Sequence, residues 1–369
     1  MKVRELSNSM IGTRAGGAQT GINMRKNTIV DMHCDTIHAL RKRQQKGTPY
    51  SLRENDCHVD LRKLEKGGYL LQCFALFVDL NTVVDPWKEV LEELELFEKE
   101  LLKNNDLAGL ATSISDIAHI QKEGKISCLL SVEEGGVCRG DIEKLRMLYD
   151  RGVRMMTLTW NYENELGSPS LPRVRINGKE TSQKTTQDIS LKESRRLTLK
   201  GRAFVEEMER LGMLVDVSHL SDAGFADVVQ MSKRPFVASH SNARALCAHP
   251  RNLTDDQIRA LSEKGGVMGL NFYYDFLRRT KEKAQAFDTL SEIVAHAVHI
   301  IHVGGAEVLG LGSDFDGIDT PEVLTGADQI ELLSDAFHKN GLSSSVIDKI
   351  LHENVLRVFR DVLLYPVTH

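Results

Sequence analysis

The sequence lacks the patterns that mark nucleic-acid-binding, membrane-spanning and secreted proteins. Its net charge of -5 arises from 47 basic and 52 acidic residues that form no long blocks of one sign, so no surface for nucleic acid or an anionic membrane is predicted. Residues 1–26 contain no apolar core of a secretory signal, and residues 362–369 are too short and polar for a membrane span or lipid anchor. The expected partner is therefore a small molecule.

The cysteines lack the paired spacing of a disulfide framework. Three of the six lie in or beside apolar runs, and Cys34 lies between two candidate metal ligands, where strand alternation would turn it away from them. We therefore expect buried free thiols in a reducing cytoplasm. The six positions are Cys34, Cys57, Cys73, Cys128, Cys138 and Cys247.

The chain also shows no internal repeat and no break in composition that would indicate a second domain. With 369 residues, of which 41% are hydrophobic and 27% charged, it has an ordinary globular composition and can bury a sizeable core. We expect a single domain over residues 28–369 and a disordered leader over residues 1–27. Met24, which is followed by Arg25-Lys26-Asn27 before the first predicted strand, is a candidate natural start.

Eight short apolar runs predict β-strands, and amphipathic segments between them predict helices. Eight alternating units indicate a parallel sheet closed into a (β/α)8 or TIM barrel. An open doubly wound sheet is the alternative, but no glycine-rich phosphate loop follows the first strand. The predicted strands are Ile29–Met32, Leu70–Phe77, Ile126–Val132, Arg154–Leu158, Met213–Val217, Phe236–Ala238, Val267–Leu270 and Val308–Leu311, and the predicted helices are Trp87–Leu102, Ile142–Arg151, Leu191–Leu211, Asp222–Met231, Thr254–Lys264 and Leu290–Val303.

One connection is unusually long. Residues 161–196 are polar, contain two glycines and two prolines, and follow the fourth predicted strand. In a barrel, such a connection leaves from the catalytic face. We therefore expect a mobile cover over the active site.

His33 and Asp35 directly follow the first predicted strand, and on an extended chain both side chains would project to the same side. An imidazole beside a carboxylate is half of a divalent metal site. Alone, the pair is more typical of a histidine at the edge of the core and an aspartate in a turn than of a metal site. Its interpretation therefore depends on the other strand ends.

Polar residues recur at the ends of four further strands, and in a barrel these ends converge on one mouth. Each alone has an ordinary structural explanation, but together they predict a site for two metal ions. The other histidines are interpreted as structural, including His296, His299 and His302, which we place on a partly exposed face of an outer helix. The polar strand ends contain Glu133 and Glu134, Asp216 and His219, His240, and Asp314 and Asp316.

A pair of divalent cations would bind a shared water, activate it as a hydroxide and polarise a carbonyl. A carboxylate bridging the cations would offset their repulsion. A further carboxylate outside the metal ligands must then carry a proton to the departing amine. Asp314, at the end of the eighth predicted strand, is our candidate for that proton transfer.

Taken together, these residues resemble the membrane (renal) dipeptidase family of zinc peptidases, whose barrels are of the metal-dependent, amidohydrolase-like type. The resemblance runs from about Ile29 to Leu363. It implies that His33 and Asp35 bind one zinc ion, that His219 and His240 bind the other, and that Glu133 bridges both. The motifs that carry it are Asp31-x-His33-x-Asp35, Val132-Glu133, Gly152 to Thr159, Asp216 to His219, Ser239 to Ser241 with Arg251-Asn252, and Gly312 to Gly317.

Two further residues are assigned through the resemblance. Arg251 matches the arginine that holds the free carboxylate of the substrate, a task that suits its planar fork of donors. Trp160 departs from the mammalian enzymes, which have a histidine there that contacts the reacting carbonyl. Its indole N–H is only a neutral donor, so the substrate preference is left open. The family's glycolipid anchor has no counterpart here, which suits a soluble, bacterial-type member.

The resemblance therefore predicts a cytoplasmic dipeptidase that uses two divalent ions, most simply zinc, to hydrolyse small dipeptides with a free carboxyl end, L-L and also L-D. One alternative is another amide or ester hydrolase on the same barrel, acting on N-acyl amino acids or lactones. The other is a metal-binding homologue without catalytic activity. The oligomeric state is left open, with a homodimer as one option.

Overall fold

The computed structural model describes residues 28–171, 173–176, 179–182, 195–278, 288–319 and 323–363. The predicted leader, residues 1–27, lies outside this part of the chain, as do residues 183–194 of the long connection. For residues 173–176 and 179–182 only the backbone is described.

Eight parallel strands form a closed barrel, which confirms the predicted fold. Going around the barrel, the order is β1-β2-β4-β5-β8-β9-β10-β11, and β11 pairs with β1 again. All eight predicted strands are present, with ends shifted by a few residues. In chain order the strands are β1 (Ile29–Asp31), β2 (Tyr69–Phe77), β3 (Ala108–Leu110), β4 (Ile126–Glu133), β5 (Val153–Thr157), β6 (Arg173–Ile176), β7 (Lys179–Ser182), β8 (Leu214–Asp216), β9 (Val237–Ala238), β10 (Val267–Leu270) and β11 (Leu309–Leu311).

Three short strands lie outside the barrel and were not predicted. β3 pairs with the first residues of β4, whereas β5 pairs with the last ones, so β4 has two successive neighbours on one edge. β6 and β7 form an antiparallel hairpin within the long connection after β5. That connection therefore contains regular structure, and its role as a mobile cover stays a prediction.

Helices cover the outside of the barrel and one of its ends. The six predicted helices are all present, together with shorter ones that the periodicity did not indicate. The helices are α1 (Thr36–Gln45), α2 (Leu61–Gly67), α3 (Pro86–Lys103), α4 (Ile114–Lys122), α5 (Ile142–Asp150), α6 (Leu199–Leu211), α7 (Asp222–Met231), α8 (Asp255–Glu263), α9 (Tyr274–Leu277), α10 (Thr289–Gly304), α11 (Glu331–Lys339), α12 (Ser344–Asp348) and α13 (Asn354–Val362).

The described helix α6 begins at Leu199, whereas its predicted start at Leu191 lies outside the described residues. The Thr198 side chain accepts the backbone N–H of Gly201 at 3.0 Å and caps the helix there. The preceding backbone is held outside the helix, since the N–H of Leu197 donates to Asp227 Oδ2 at 3.0 Å. The predicted capping box of α8 is present, with the Thr254 and Gln257 side chains bonded reciprocally to backbone N–H groups.

Two apolar layers make up the core. The barrel interior contains side chains from alternate strand positions, such as Val30, Met32 and Met155, and these pack with Val358 and Phe359 of α13. The second layer lies between the barrel wall and the outer helices. Helix α13 packs against this interior and closes the amino-terminal end of the barrel, and the polar strand ends lie at its carboxyl end.

None of the helices in the described ranges combines the length and apolar composition needed to cross a membrane.

Candidate metal centre and active site

The polar residues that follow the barrel strands meet around a pocket of about 390 Å³. Asp35, Glu133, His219 and Asp314 line it, each from the end of a different strand. Trp160, which follows β5, forms part of the wall. The carboxyl ends of parallel barrel strands converge. Residues that are far apart in the sequence, such as Asp35 and Asp314, therefore become neighbours in this pocket.

His33 is surrounded by three carboxylates. Its Nε2 atom lies 3.5 Å from Asp35 Oδ2, 3.5 Å from Glu133 Oε2 and 3.9 Å from Asp314 Oδ1. These separations exceed the usual length of a hydrogen bond between nitrogen and oxygen. The His33 side chain is 1% exposed, so these groups face each other out of water.

His219 and His240 form a second group on the other side of Glu133. Glu133 Oε1 lies 3.0 Å from Nε2 of His219 and 3.5 Å from Nε2 of His240. The two Nε2 atoms are 3.0 Å apart. The Glu133 carboxylate therefore lies between the two groups, with one oxygen directed at each.

Both histidines of this second group are oriented through Nδ1. The Asn161 carboxamide oxygen accepts from Nδ1 of His219 at 3.1 Å. The Ser239 hydroxyl donates to Asp216 at 2.5 Å and accepts from Nδ1 of His240 at 2.8 Å. In both rings the proton is thus on Nδ1, and the Nε2 lone pair is directed at the shared space.

The donor atoms fit a divalent metal. Both ring nitrogens of His33 and Oδ1 of Asp35 are buried and have no hydrogen-bond partner among the described residues. Buried polar atoms are normally bonded, and imidazoles with carboxylates are typical zinc ligands. Two sets of three donors each lie within 4.8 Å, namely His33 with Glu133 and His240, and His33 with Asp35 and Asp314.

The electrostatics of the cluster also favour a bound cation. Burial opposes the charged imidazole of His33, but Glu133 and Asp35 raise its pKa well above the usual value. Burial likewise opposes the Glu133 carboxylate, yet the charge of His33 and the close contacts of the other two rings hold its pKa well below the usual range. Burial lowers the pKa of His219 to about 4. The carboxylates thus attract positive charge to this position, which a divalent cation supplies better than one proton.

Asp314 lies at the edge of the cluster and opens to the pocket. Its Oδ2 accepts a hydrogen bond from the Asn271 carboxamide at 2.8 Å. Burial raises the pKa of Asp314 to about 7, and the charges of Asp35 and Glu133 add to that effect against the opposing charge of His33. A carboxyl group with a pKa near neutrality can both accept and donate a proton in one reaction cycle.

Arg251 lies beside the second histidine group. Its guanidinium donates to the backbone oxygen of His240 at 3.1 Å and to the Ser241 hydroxyl at 3.4 Å, and it lies 5.4 Å from the Phe276 ring centre. Burial lowers its pKa to about 10, so it remains cationic at neutral pH. Its Nε atom is buried without a partner in the described part of the chain.

Trp160 occupies the wall between Phe77 and His219. Its ring meets the Phe77 ring edge-on at 4.8 Å and lies 6.2 Å from the His219 ring. The backbone N–H of Trp160 donates to Glu134 Oε2 at 3.0 Å. The Glu134 side chain therefore binds the backbone of the segment that contains Trp160, whereas the Glu133 side chain is directed into the cluster.

Residues 20–366 match the model of the membrane dipeptidase family, peptidase family M19. An uncharacterized dipeptidase of Schizosaccharomyces pombe is 31% identical over 353 residues, which cover 90% of this chain and 80% of that protein. The chain belongs to the membrane dipeptidase family. It is a metallo-dipeptidase, and the family implies that it uses divalent metal.

Solved structures share the fold of this dipeptidase. A metallo peptidase from Rhodobacter sphaeroides, liganded with a phosphinate mimic of the dipeptide L-Ala-D-Ala, is 23% identical, with a TM-score of 0.78 and coverage of 91% of this chain and 99% of that one. A metallo peptidase called dipeptidase AC, of the same family, is 24% identical, with a TM-score of 0.79 and coverage of 92% and 99%.

The dipeptidase has left-handed backbone conformations at its strand ends. Among the described residues, six other than glycine have a positive φ, and Glu134, His219, Asp314 and Asp316 are four of these six. Such conformations are strained for residues with a Cβ atom and concentrate at functional sites. Here they turn the chain sharply as each strand ends, so that His219 and Asp314 are directed into the pocket.

Sequence reasoning missed the residues that orient the site. Asp216 was noted only as part of a motif, and Asn161 and Asn271 were given no role in the site. Asp31 accepts backbone N–H groups from His33 at 3.1 Å and from residue 313 at 3.0 Å, which joins the first and last barrel strands. A buried aspartate two or three residues before a histidine of the cluster is the signal that the first and fifth predicted strands share.

The interpretation of His296 as part of an exposed face is wrong. This residue is fully buried, accepts the N–H of Ala243 at Nδ1 and contacts the backbone oxygen of Leu277 at 3.0 Å. It therefore joins α10 to the end of α9 and to the segment that follows β9. Cys34 does turn away from the cluster as expected, because its sulfur approaches the Cys73 backbone oxygen at 3.5 Å.

Replacing Asp216 with alanine should destabilise the dipeptidase by about 4 kcal/mol. The change removes the acceptor of four hydrogen bonds, from the N–H of Ser218, the N–H and hydroxyl of Ser239, and the hydroxyl of Thr157. Urea denaturation measures the effect. The matched control is Asp256→Ala, whose side chain is 95% exposed, and which should cost less than about 1 kcal/mol. Equal losses in both variants would contradict this account.

Proposed function

We propose that this chain is a dipeptidase with two divalent metal ions, most simply zinc. His33 and Asp35 would hold one ion, His219 and His240 the other, and Glu133 would contact both. The observation that carries this proposal is the position of Glu133, with Oε1 near the two Nε2 atoms and Oε2 near His33. When bound, the cations would supply the attacking nucleophile from water and polarise the peptide carbonyl.

In this proposal Asp314 moves the proton. Its carboxylate receives a proton as water attacks the peptide carbon and gives one to the amine as the peptide bond breaks. Asn271 holds Oδ2 of Asp314, which leaves Oδ1 directed at the cluster. This division of roles follows from position, because Asp314 is a partner of His33 and also lines the open pocket.

Arg251 would bind the free carboxylate of the substrate, and Trp160 would contact the residue around the reacting carbonyl. Arg251 is buried and cationic, with its Nε atom unpartnered among the described residues, so an incoming carboxylate would gain a charged partner at little entropic cost. The phosphinate mimic of L-Ala-D-Ala bound to the Rhodobacter relative supports L-D dipeptides as substrates, and L-L dipeptides stay a prediction from the family resemblance.

Two further proposals concern the cellular location and the oligomeric state. A cytoplasmic location is supported by the six free cysteines, of which five are buried, since unpaired thiols are typical of reducing compartments. A homodimer stays a prediction from the sequence.

Replacing a proposed metal ligand should lower the metal content of the purified protein, and this effect can be measured independently of the reaction rate. We expect His33→Ala and His240→Ala to lose most of one ion per chain, because each removes a nitrogen donor that no other described side chain replaces. Metal analysis of the purified protein measures this. His338→Ala, which alters an exposed histidine of α11, is the control and should keep full content. Full metal content in both site variants would rule out the proposed ligand set.

Asp314→Asn should keep its metal but lose turnover. The amide cannot accept the proton, so we expect kcat for Ala-Ala to fall about 100-fold or more. Metal content and kcat are measured on the same sample. Asp335→Asn, an exposed change on α11, should leave both unchanged. An Asp314→Asn enzyme with normal kcat would remove this residue from the mechanism.

A substrate panel separates dipeptides from the alternative substrates. We expect hydrolysis of Ala-Ala and Ala-D-Ala, and a much slower reaction with Ala-Ala amide, N-acetyl-alanine and a simple lactone. Arg251→Ala should raise KM for Ala-Ala about tenfold or more and reduce the discrimination against the amide, because one charge-assisted contact of the carboxylate is lost. Arg251→Lys, which keeps the charge without the fork, should lie between.

Two results would contradict the dipeptide assignment. One is a wild-type enzyme that prefers the N-acyl amino acid or the lactone, which would support the alternative hydrolase. The other is a protein that binds about two metal ions per chain and hydrolyses no compound of the panel.

A further inference from the structure

The first helix after β1 presents two basic side chains to the active-site pocket. His38 and Lys42 are one helical turn apart on α1, so they lie on the same face. Both line the pocket at the metal cluster, and both also line an adjoining surface groove of about 620 Å³. The mechanism proposed above uses neither of them.

His38 is held in place by a buried carboxyl group. Its Nδ1 atom lies 2.7 Å from Glu93 Oε1, and the Glu93 side chain is fully buried. The ring also meets the Phe77 ring edge-on at 4.9 Å. With Nδ1 occupied, Nε2 is the polar atom of this ring that remains for the pocket.

Lys42 stands between two arginines that are already paired. Arg41 contacts Glu89 at 3.2 Å and also Glu92, and Arg43 is paired with Asp56. Lys42 is exposed and has no carboxylate within 4.0 Å in the part of the chain that the structure describes. It is therefore a positive charge at the pocket rim that no described side chain neutralises.

The position of this pair relative to Arg251 decides which part of a dipeptide it meets. In the barrel order, α1 leaves between β1 and β2, whereas Arg251 follows β9, which lies across the eight-membered ring from β2. A dipeptide whose carboxyl end is held by Arg251 and whose peptide bond lies at the metal cluster would therefore extend toward α1. The residue on its amino side would reach His38 and Lys42.

The same end of the pocket has room for a long side chain. Phe77 separates the pocket from the adjoining groove and lines both. The acidic groups of the groove are engaged elsewhere, since Glu89 is bonded to Arg41 and Gln45, and Asp79 and Asp85 accept backbone N–H groups of their own turns. Asp319, an acidic residue of the pocket rim, lies near Tyr273.

We infer that Lys42, with His38 beside it, forms a subsite for a carboxylate on the side chain of the amino-side residue, so that this enzyme prefers acidic dipeptides such as Glu-Ala. Lys42 supplies the charge, and the Nε2–H of His38 supplies a second contact in the tautomer in which Nδ1 accepts from the Glu93 carboxyl group. The inference rests on the dipeptidase activity proposed above and on the assignment of Arg251 to the carboxyl end.

The test compares Glu-Ala with its neutral isostere Gln-Ala. In the metal-loaded wild-type enzyme we expect kcat/KM for Glu-Ala to exceed that for Gln-Ala about fivefold, the effect of one partly exposed ion pair. The ratio should fall to about 1 in Lys42→Met and return in Lys42→Arg. Because each ratio is measured within one preparation, differences in folding or metal loading cancel. High salt should reduce the wild-type ratio.

Three controls make the outcome decisive. Lys46→Met removes an exposed lysine at the end of the same helix and should keep the wild-type ratio. The reversed pair, Ala-Glu and Ala-Gln, should show a smaller preference, because their side chains lie away from Lys42 and because Arg251 is engaged by the carboxyl end of the dipeptide. Ala-Ala serves as the neutral reference for dipeptidase activity.

Four results would overturn the inference. They are equal rates on Glu-Ala and Gln-Ala in the wild type, a preference that survives in Lys42→Met, its loss in Lys46→Met, and a larger preference for Ala-Glu. If Ala-Ala is hydrolysed in these cases, only the subsite is wrong. If no dipeptide is hydrolysed, the proposed function fails with it.

Discussion

The burial of three imidazoles and three carboxylates in one cluster is the constraint on which this active site depends. Charged groups out of water are stable only when they are paired, hydrogen-bonded or bound to metal. Glu133 contacts imidazoles with both of its oxygens, and His33 faces three carboxylates. The donor atoms that remain without partners are the ones that a cation would satisfy, so the demand for metal follows from the burial itself.

The surrounding structure serves to hold these groups apart at fixed distances. Asp31 and Asp216 each lie two or three residues before a histidine of the cluster and bind the backbone of a neighbouring strand end. Because each of them bridges two strands, a shift of one strand would move its neighbour as well. Left-handed residues such as His219 then turn the chain into the mouth. The site is thus positioned by backbone contacts between strands more than by its own side chains.

Much of this could be predicted from the sequence, for identifiable reasons. Barrel strands are buried on both faces, so they read as short apolar runs, and the polar residues that end them stand out. The role of Asn161 could not be predicted, because its partner His219 is distant in the chain and an asparagine in a loop is unremarkable. His38 was interpreted as structural for the same reason, since Glu93 lies on a different helix. His296 was misplaced because helical periodicity does not say which side of an outer helix meets a loop.

The closure of the barrel also determines when, during synthesis of the chain, the residues of the cluster can come together. Strand β1 pairs with β11, His33 and Asp314 come from opposite ends of the chain, and the interior is filled from below by α13, one of the last elements in sequence. During synthesis, which proceeds from the amino terminus, the proposed ligands that follow β1 emerge long before their partners. The cluster can therefore assemble only after nearly the whole chain has left the ribosome, and in the proposed function metal loading would be a late step of biosynthesis.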